Sequence, residues 1–288
     1  MKARSLATAA LAWLLVACGG PTPTASPTLT VMVSVPSALS VALASNDFPA
    51  GQPRVPFVLF AGSNPLADAS AVKLTAFDLS SGTPAPGWTG EATAYPDYDI
   101  PYWVAYPELP HSGLWGLGVA VTLADGSQAP AQFTLQTVDD PSGPGIGEAV
   151  PATVNRTLAT QADLALLTSD PEPEPGLYEM TVADALKTGK PTVVTLATPG
   201  FCASRLCAPV VNSLKALYAD DKANVNFIHI EIYKSFDPLV YGPEMDEWHL
   251  KSEPWTFVVG ADGKVVARLG GPVSPRELAA ILAPLLPG

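Results

Sequence analysis

The clearest pattern in the chain is alternation. Leu117, Val119, Val121 and Leu123 alternate with Gly118, Ala120 and Thr122, Asp125-Gly126 interrupts them, and Phe133 and Leu135 alternate with Gln132, Thr134 and Gln136. A period of two on either side of an Asp-Gly turn predicts a β-hairpin with one buried face. Shorter apolar runs at 29–35, 54–60, 71–79, 91–95 and 101–106 are separated by Gly, Pro, Asn and Asp. Residues 29–138 therefore read as an antiparallel sandwich of about seven short strands. Trp88, Trp103 and Trp115 are expected to pack there. The aromatic loop Tyr95-Pro-Asp-Tyr-Asp-Ile-Pro-Tyr102 is expected to pack rather than to bind a ligand.

After residue 138 the alternation stops. Residues 139–176 are rich in Pro, Gly and small side chains and end in Glu172-Pro-Glu-Pro-Gly176. That composition predicts a semi-rigid spacer. From Leu177 onward helical and strand periods take turns. Thr181 and Asp184 can open a helix that Gly189 closes. Thr192 to Ala197 is a buried strand, and Val210, Val211, Leu214, Leu217 and Tyr218 share one helical face. Val225 to Tyr233 forms a strand and Glu244 to Leu250 a short helix. Trp255 to Val259 and Val265 to Leu269 are strands joined by Ala261-Asp-Gly-Lys264. Ser274, Pro275 and Glu277 spell the N-cap, N1 and N3 of a last helix. The order is α-β-α-β-α-β-β-α. The first region resembles an immunoglobulin-like sandwich. It contains no cysteine, so the inter-sheet disulfide of that family is absent.

Lys2 and Arg4 precede the apolar run Leu6 to Ala17, which is shorter than the roughly 20 residues a membrane span needs. Charge, length and small flanking residues fit a signal peptide. Its end, Leu15-Val-Ala-Cys18, resembles the lipobox of bacterial lipoproteins, which implies lipidation of Cys18 and a cell-membrane location on the extracytoplasmic face. The expected organisation is a signal peptide at 1–17, a Pro/Thr tether at 18–28, the sandwich at 29–138, the spacer at 139–176 and an α/β domain at 177–288. The formal charge of −12 argues against nucleic acid as a partner.

The two other cysteines stand in Thr195-Leu-Ala-Thr-Pro-Gly-Phe-Cys-Ala-Ser-Arg-Leu-Cys-Ala-Pro-Val210, between a strand and a helix. About fifty residues on, Ser252-Glu-Pro-Trp-Thr-Phe257 precedes the last hairpin. This arrangement resembles the thioredoxin-like superfamily, in secreted lipoproteins of actinobacterial type. The resemblance covers roughly the last 110 residues. It implies a redox role for Cys202 and Cys207, and a cis-proline loop at Pro254 and Trp255 that holds the partner. Cys202-x4-Cys207 departs from the family's C-x-x-C. Residues five apart on one helix point about 140° away from each other. Pro209 is tolerated only in a first turn, so the helix should start near Leu206, with Ser204 a possible cap and Cys202 folding back from a loop. Cys202 is then the attacking thiol and Cys207 the resolving one, with Arg205 adding a positive charge. Glu231 is a candidate proton relay, and His229 shares its strand.

A copper site of the Sco type would need C-x-x-x-C and a downstream histidine. The spacing is one residue too long and His249 is the nearby candidate, so no metal and no cofactor are expected. The function expected is lipid-anchored thiol-disulfide exchange with protein thiols or disulfides. The alternative is a non-enzymatic surface binding protein in which Cys202–Cys207 is a structural disulfide.

Overall fold

Two sheets face each other across the first apolar core of the chain. One runs in the order Leu39–Leu43, Val55–Ala61, Tyr102–Ala105, Thr93–Tyr95. The other runs Phe48–Pro49, Gln128–Val138, Gly113–Thr122, Ala71–Asp78, Ala85–Glu91. The hairpin read from the alternation is present, with Leu135 opposite Trp115 and Phe133 opposite Leu117. Its inward side chains Trp115, Leu117, Val119, Val121 and Leu135 meet Phe57, Leu59, Leu74 and Trp103 from the other strands. The computed structural model describes residues 39–80 and 83–286. The leader, Cys18, the tether and the expected strand at 29–35 lie outside them. Strands Leu39–Leu43 and Ala85–Glu91 were not legible in the pattern.

The C-terminal part is a four-stranded sheet in the order Asn226–Glu231, Thr192–Ala197, Trp255–Val259, Val265–Gly270. The first pair is parallel and the others antiparallel. Both central strands are buried along their whole length, because each face is covered. Val193, Phe227 and Val258 face helices Cys207–Asp221 and Pro275–Leu282, whereas Val194, Ile228 and Phe257 face Val182 and Trp248. A small hairpin, Tyr233–Phe236 with Leu239–Tyr241, interrupts the region where one continuous strand into Tyr233 was expected. Among the described residues, the structure is mostly β-sheet with a few helices.

Residues 139–176 are not a free spacer. Val150, Thr153, Asn155, Thr157, Leu167 and Thr168 are buried. Asn155 Oδ1 accepts from the Val182 N–H, and Thr153 Oγ1 accepts from the Trp248 indole. The segment straps the sheet because its small polar side chains satisfy backbone and indole groups that would otherwise be buried without partners. Composition reports the absence of periodicity; it does not report these individual bonds.

The sheet containing Val55–Ala61 is buried on its outer face too. Val58, Tyr98, Tyr102 and Val104 pack against Val210 of the helix Cys207–Asp221. Arg54 forks onto Glu277, with Nε–Oε1 at 2.7 Å and Nη2–Oε2 at 2.8 Å, and also donates to the carbonyls of Gly270 and Pro272. The Tyr102 hydroxyl donates to Glu277 and accepts from the Ser274 N–H. Ser274 does cap the last helix through Glu277 N–H. The reciprocal half of the capping box is missing because Arg54 holds the Glu277 carboxylate. All described residues thus belong to one compact unit.

Gly271 sits in this junction with φ +83°, and a Cβ there would lie 1.9 Å from the Ala44 carbonyl oxygen. Gly271→Ala therefore combines a left-handed backbone with a collision against main chain. It should destabilise the protein by several kcal/mol, on the order of 3. Urea unfolding checks this; a midpoint within error of the parent would contradict the placement.

Candidate functional site

The strand Thr192–Ala197 runs out into a loop that carries Cys202, and helix Cys207–Asp221 begins at the second cysteine. Leu206 is the N-cap residue and supplies no side-chain cap; the Ser204 hydroxyl instead accepts from the Leu206 N–H at 3.4 Å. Arg205 has φ +61°, a left-handed turn just before the helix. The turn takes the loop off the helical path, so the x4 spacing no longer forces the cysteines apart. Cys202 Sγ accepts the Cys207 N–H at 3.3 Å and lies 3.1 Å from Ser204 Oγ. Both cysteines are free thiols, Cys202 half-buried and Cys207 fully buried.

Glu253 completes the cluster. Its Oε2 lies 3.3 Å from Cys202 Sγ and accepts from the Cys207 thiol at short range. The Glu253–Pro254 peptide is cis, and the Pro254 carbonyl accepts from the Gly271 N–H at 3.0 Å. Pro254 is buried. Pro254 and Trp255 are the residues expected of this loop, and Glu253 is one the structure adds to them. A carboxylate immediately before the proline was the available signal.

Three titrations follow from this packing. The Cys207 thiol, the Ser204 hydroxyl and the Cys207 N–H stabilise a Cys202 thiolate, against the opposing effect of burial, and bring the group down to about 4. Burial, then the neighbouring Cys202 and Glu253, push Cys207 far up. Burial above all, with Cys202 adding, raises Glu253 to about 7. The pair is therefore unequal: an accessible sulfur that readily ionises, and an enclosed one that keeps its proton.

The other predicted residues are more remote. Glu231 accepts from the Ser169 N–H at 2.9 Å and the Ser169 hydroxyl at 2.6 Å, while that hydroxyl also accepts from the Gly200 N–H. It thus braces the loop that leads to Cys202. His229 is buried against the Tyr178 hydroxyl and the Ala197 carbonyl, and burial lowers its pKa. Trp255 is buried, stacked on Phe257 beneath the Arg268 guanidinium. His249 makes no part of the thiol cluster. The aromatic loop packs, as expected: the Tyr98 hydroxyl donates to the Leu206 carbonyl at 3.2 Å, one residue from Cys207. Phe201, next to Cys202, is exposed and stacks on Phe236 and edges Tyr233.

No protein-family model matches the chain, and no curated protein does. Among solved structures it is similar to a thiol:disulfide interchange protein of the thioredoxin family from Chlorobium tepidum TLS, at 17% identity and a TM-score of 0.32, over 52% of this chain and 100% of that one. It is also similar to CopC from Methylosinus trichosporium OB3b, at 14% identity and a TM-score of 0.24, over 34% of this chain and 92% of that one.

Proposed function

We propose that this chain is a lipid-anchored, extracytoplasmic thiol-disulfide exchange protein. In this reading Cys18 carries the lipid, residues 29–138 are an immunoglobulin-like sandwich, and residues 177–288 are a thioredoxin-like domain that reacts with protein thiols or disulfides. The observation that carries the proposal is the asymmetry of the thiol pair. Cys202 reaches solvent while accepting the Cys207 N–H, and Cys207 lies buried behind it in contact with Glu253.

Exchange then runs in two displacements. The Cys202 thiolate attacks one sulfur of a partner disulfide. That S–S bond breaks, a mixed disulfide forms, and the second partner sulfur leaves as a thiolate. Cys207 next gives its proton to Glu253 and attacks Cys202 Sγ, releasing the first partner sulfur. The partner gains two electrons as two thiolates, one taking the proton held by Glu253 and the other a proton from water, and the Cys202–Cys207 pair is oxidised. An external dithiol returns it to the reduced state by the reverse steps. The half-exposure of Cys202 favours this reading over a permanent structural disulfide.

The test is trapping. Cys207→Ser should accumulate a covalent adduct with a protein disulfide substrate, released by reductant, and Cys202→Ser should form none. If folded Cys207→Ser leaves Cys202 unmodified by disulfides, the proposal fails.

A further inference from the structure

The same three side chains have the makings of a cation site. Cys202 Sγ, Cys207 Sγ and a Glu253 carboxylate oxygen all lie within 4.8 Å of one another. Tetrahedral zinc, with Zn–S near 2.3 Å, sets neighbouring donors about 3.8 Å apart, so the Glu253 oxygen, which lies nearer than that to both sulfurs, would move outward by about an ångström to admit the ion. Both sulfurs are unoxidised thiols. Among the described residues, no lysine, arginine or histidine forms a hydrogen bond or ion pair with any of the three. A cluster able to carry two thiolates and a carboxylate therefore has, among the described residues, no protein cation bonded to it.

The supporting groups are also in place. Ser204 Oγ and the Cys207 N–H fix Cys202 Sγ, and the first helical turn fixes Cys207. Pro254, tied to the Gly271 N–H, fixes the residue next to Glu253. Groups of this kind behind a ligand set its orientation. Cys207 closes the inner side, while the half-buried Cys202 leaves the outer side open. Two soft sulfurs with one oxygen do not suit Mg²⁺ or Ca²⁺, which take oxygen ligands. Cu(I) favours sulfur donors, whereas zinc accepts both thiolate and carboxylate.

We infer that the reduced chain binds one thiophilic divalent cation of the zinc class through Cys202, Cys207 and Glu253, with the fourth position open to water or an incoming thiolate. Binding displaces the Cys207 proton, and the Glu253 proton where the acid carries one. It excludes the intramolecular disulfide, since the same sulfurs cannot do both. The inference uses the atoms of the exchange reading but does not depend on it.

The test titrates the reduced full chain with Zn²⁺ against a chromophoric chelator, and with Co²⁺ as a spectroscopic probe. One ion per chain and a thiolate-to-cobalt charge-transfer band are expected, both lost in Cys202→Ser and after oxidation of the pair. Glu253→Gln, which retains both sulfurs, should weaken zinc binding by more than about tenfold, the lower end of what loss of even a supporting group costs. Absence of stoichiometric binding by the reduced parent, binding that survives oxidation, or unchanged affinity in Glu253→Gln would each overturn it. Disulfide trapping by Cys207→Ser in chelator is scored separately, so a protein that traps but binds no zinc loses this inference alone.

Discussion

Arg54→Met should lower the stability of the whole unit by about 3–5 kcal/mol, the usual cost of removing one partner from a buried ion pair. Arg54 is 6% exposed at its side chain and Glu277 2%. Burial alone would pull the guanidinium pKa down, but the charge and hydrogen bonds of Glu277 more than offset it and hold the group above its ordinary value. Methionine leaves the Glu277 carboxylate buried with only the Tyr102 hydroxyl, and leaves the Gly270 and Pro272 carbonyls without their donor. At this size each kcal/mol moves Tm by about 2–4 °C, so a fall of roughly 10 °C is expected. The two regions should still melt in one transition, and Arg54→Met/Glu277→Met should recover much of the loss. Calorimetry decides it. Two separate transitions in the parent, or a shift below about 2 °C, would mean that the junction is not integral to the fold.

Glu253→Gln should slow the second displacement of exchange by about a hundredfold, the range expected when a positioned proton acceptor is lost. Glutamine keeps the shape and can still approach Cys202, but it cannot take the Cys207 proton. The first displacement uses Cys202 alone and should change little. The signature is a mixed disulfide that builds up in quenched time courses with metal-free protein, where the parent shows none. Glu253→Asp should restore part of the rate. Resolution at the parental rate in Glu253→Gln would remove the acid from the reaction.

Much of this architecture was legible locally. Alternation gave the hairpin Gly113–Thr122 with Gln128–Val138, and Ser274 and Thr181 marked the helix starts where the structure has them. The two thiols could be placed at a strand-to-helix junction because Pro209 restricts where the helix can begin. What was not legible depends on distant partners. Nothing near Arg54 announces Glu277, 223 residues away. Glu253 is an ordinary acid until the fold brings it 46 residues back onto Cys207. One hint does stand in the sequence. Val55-Pro-Phe-Val-Leu-Phe60 and Tyr102-Trp-Val-Ala105 are unbroken apolar runs, not alternating ones. A strand written that way has both faces covered, and here the second face is covered by Val210.

The contact of Tyr98 with Leu206 bears on how this chain can be divided. The half that holds Cys202 and Cys207 is not a transplantable cassette. Severing it near residue 139 would bare Val210, remove the donor from the Leu206 carbonyl and strand the Glu277 charge, all within one helix turn or one side chain of the junction. Gene fusions or rearrangements that carry residues 177–286 alone would inherit the thiols without the scaffold that shapes their surroundings, so the two halves are expected to travel together.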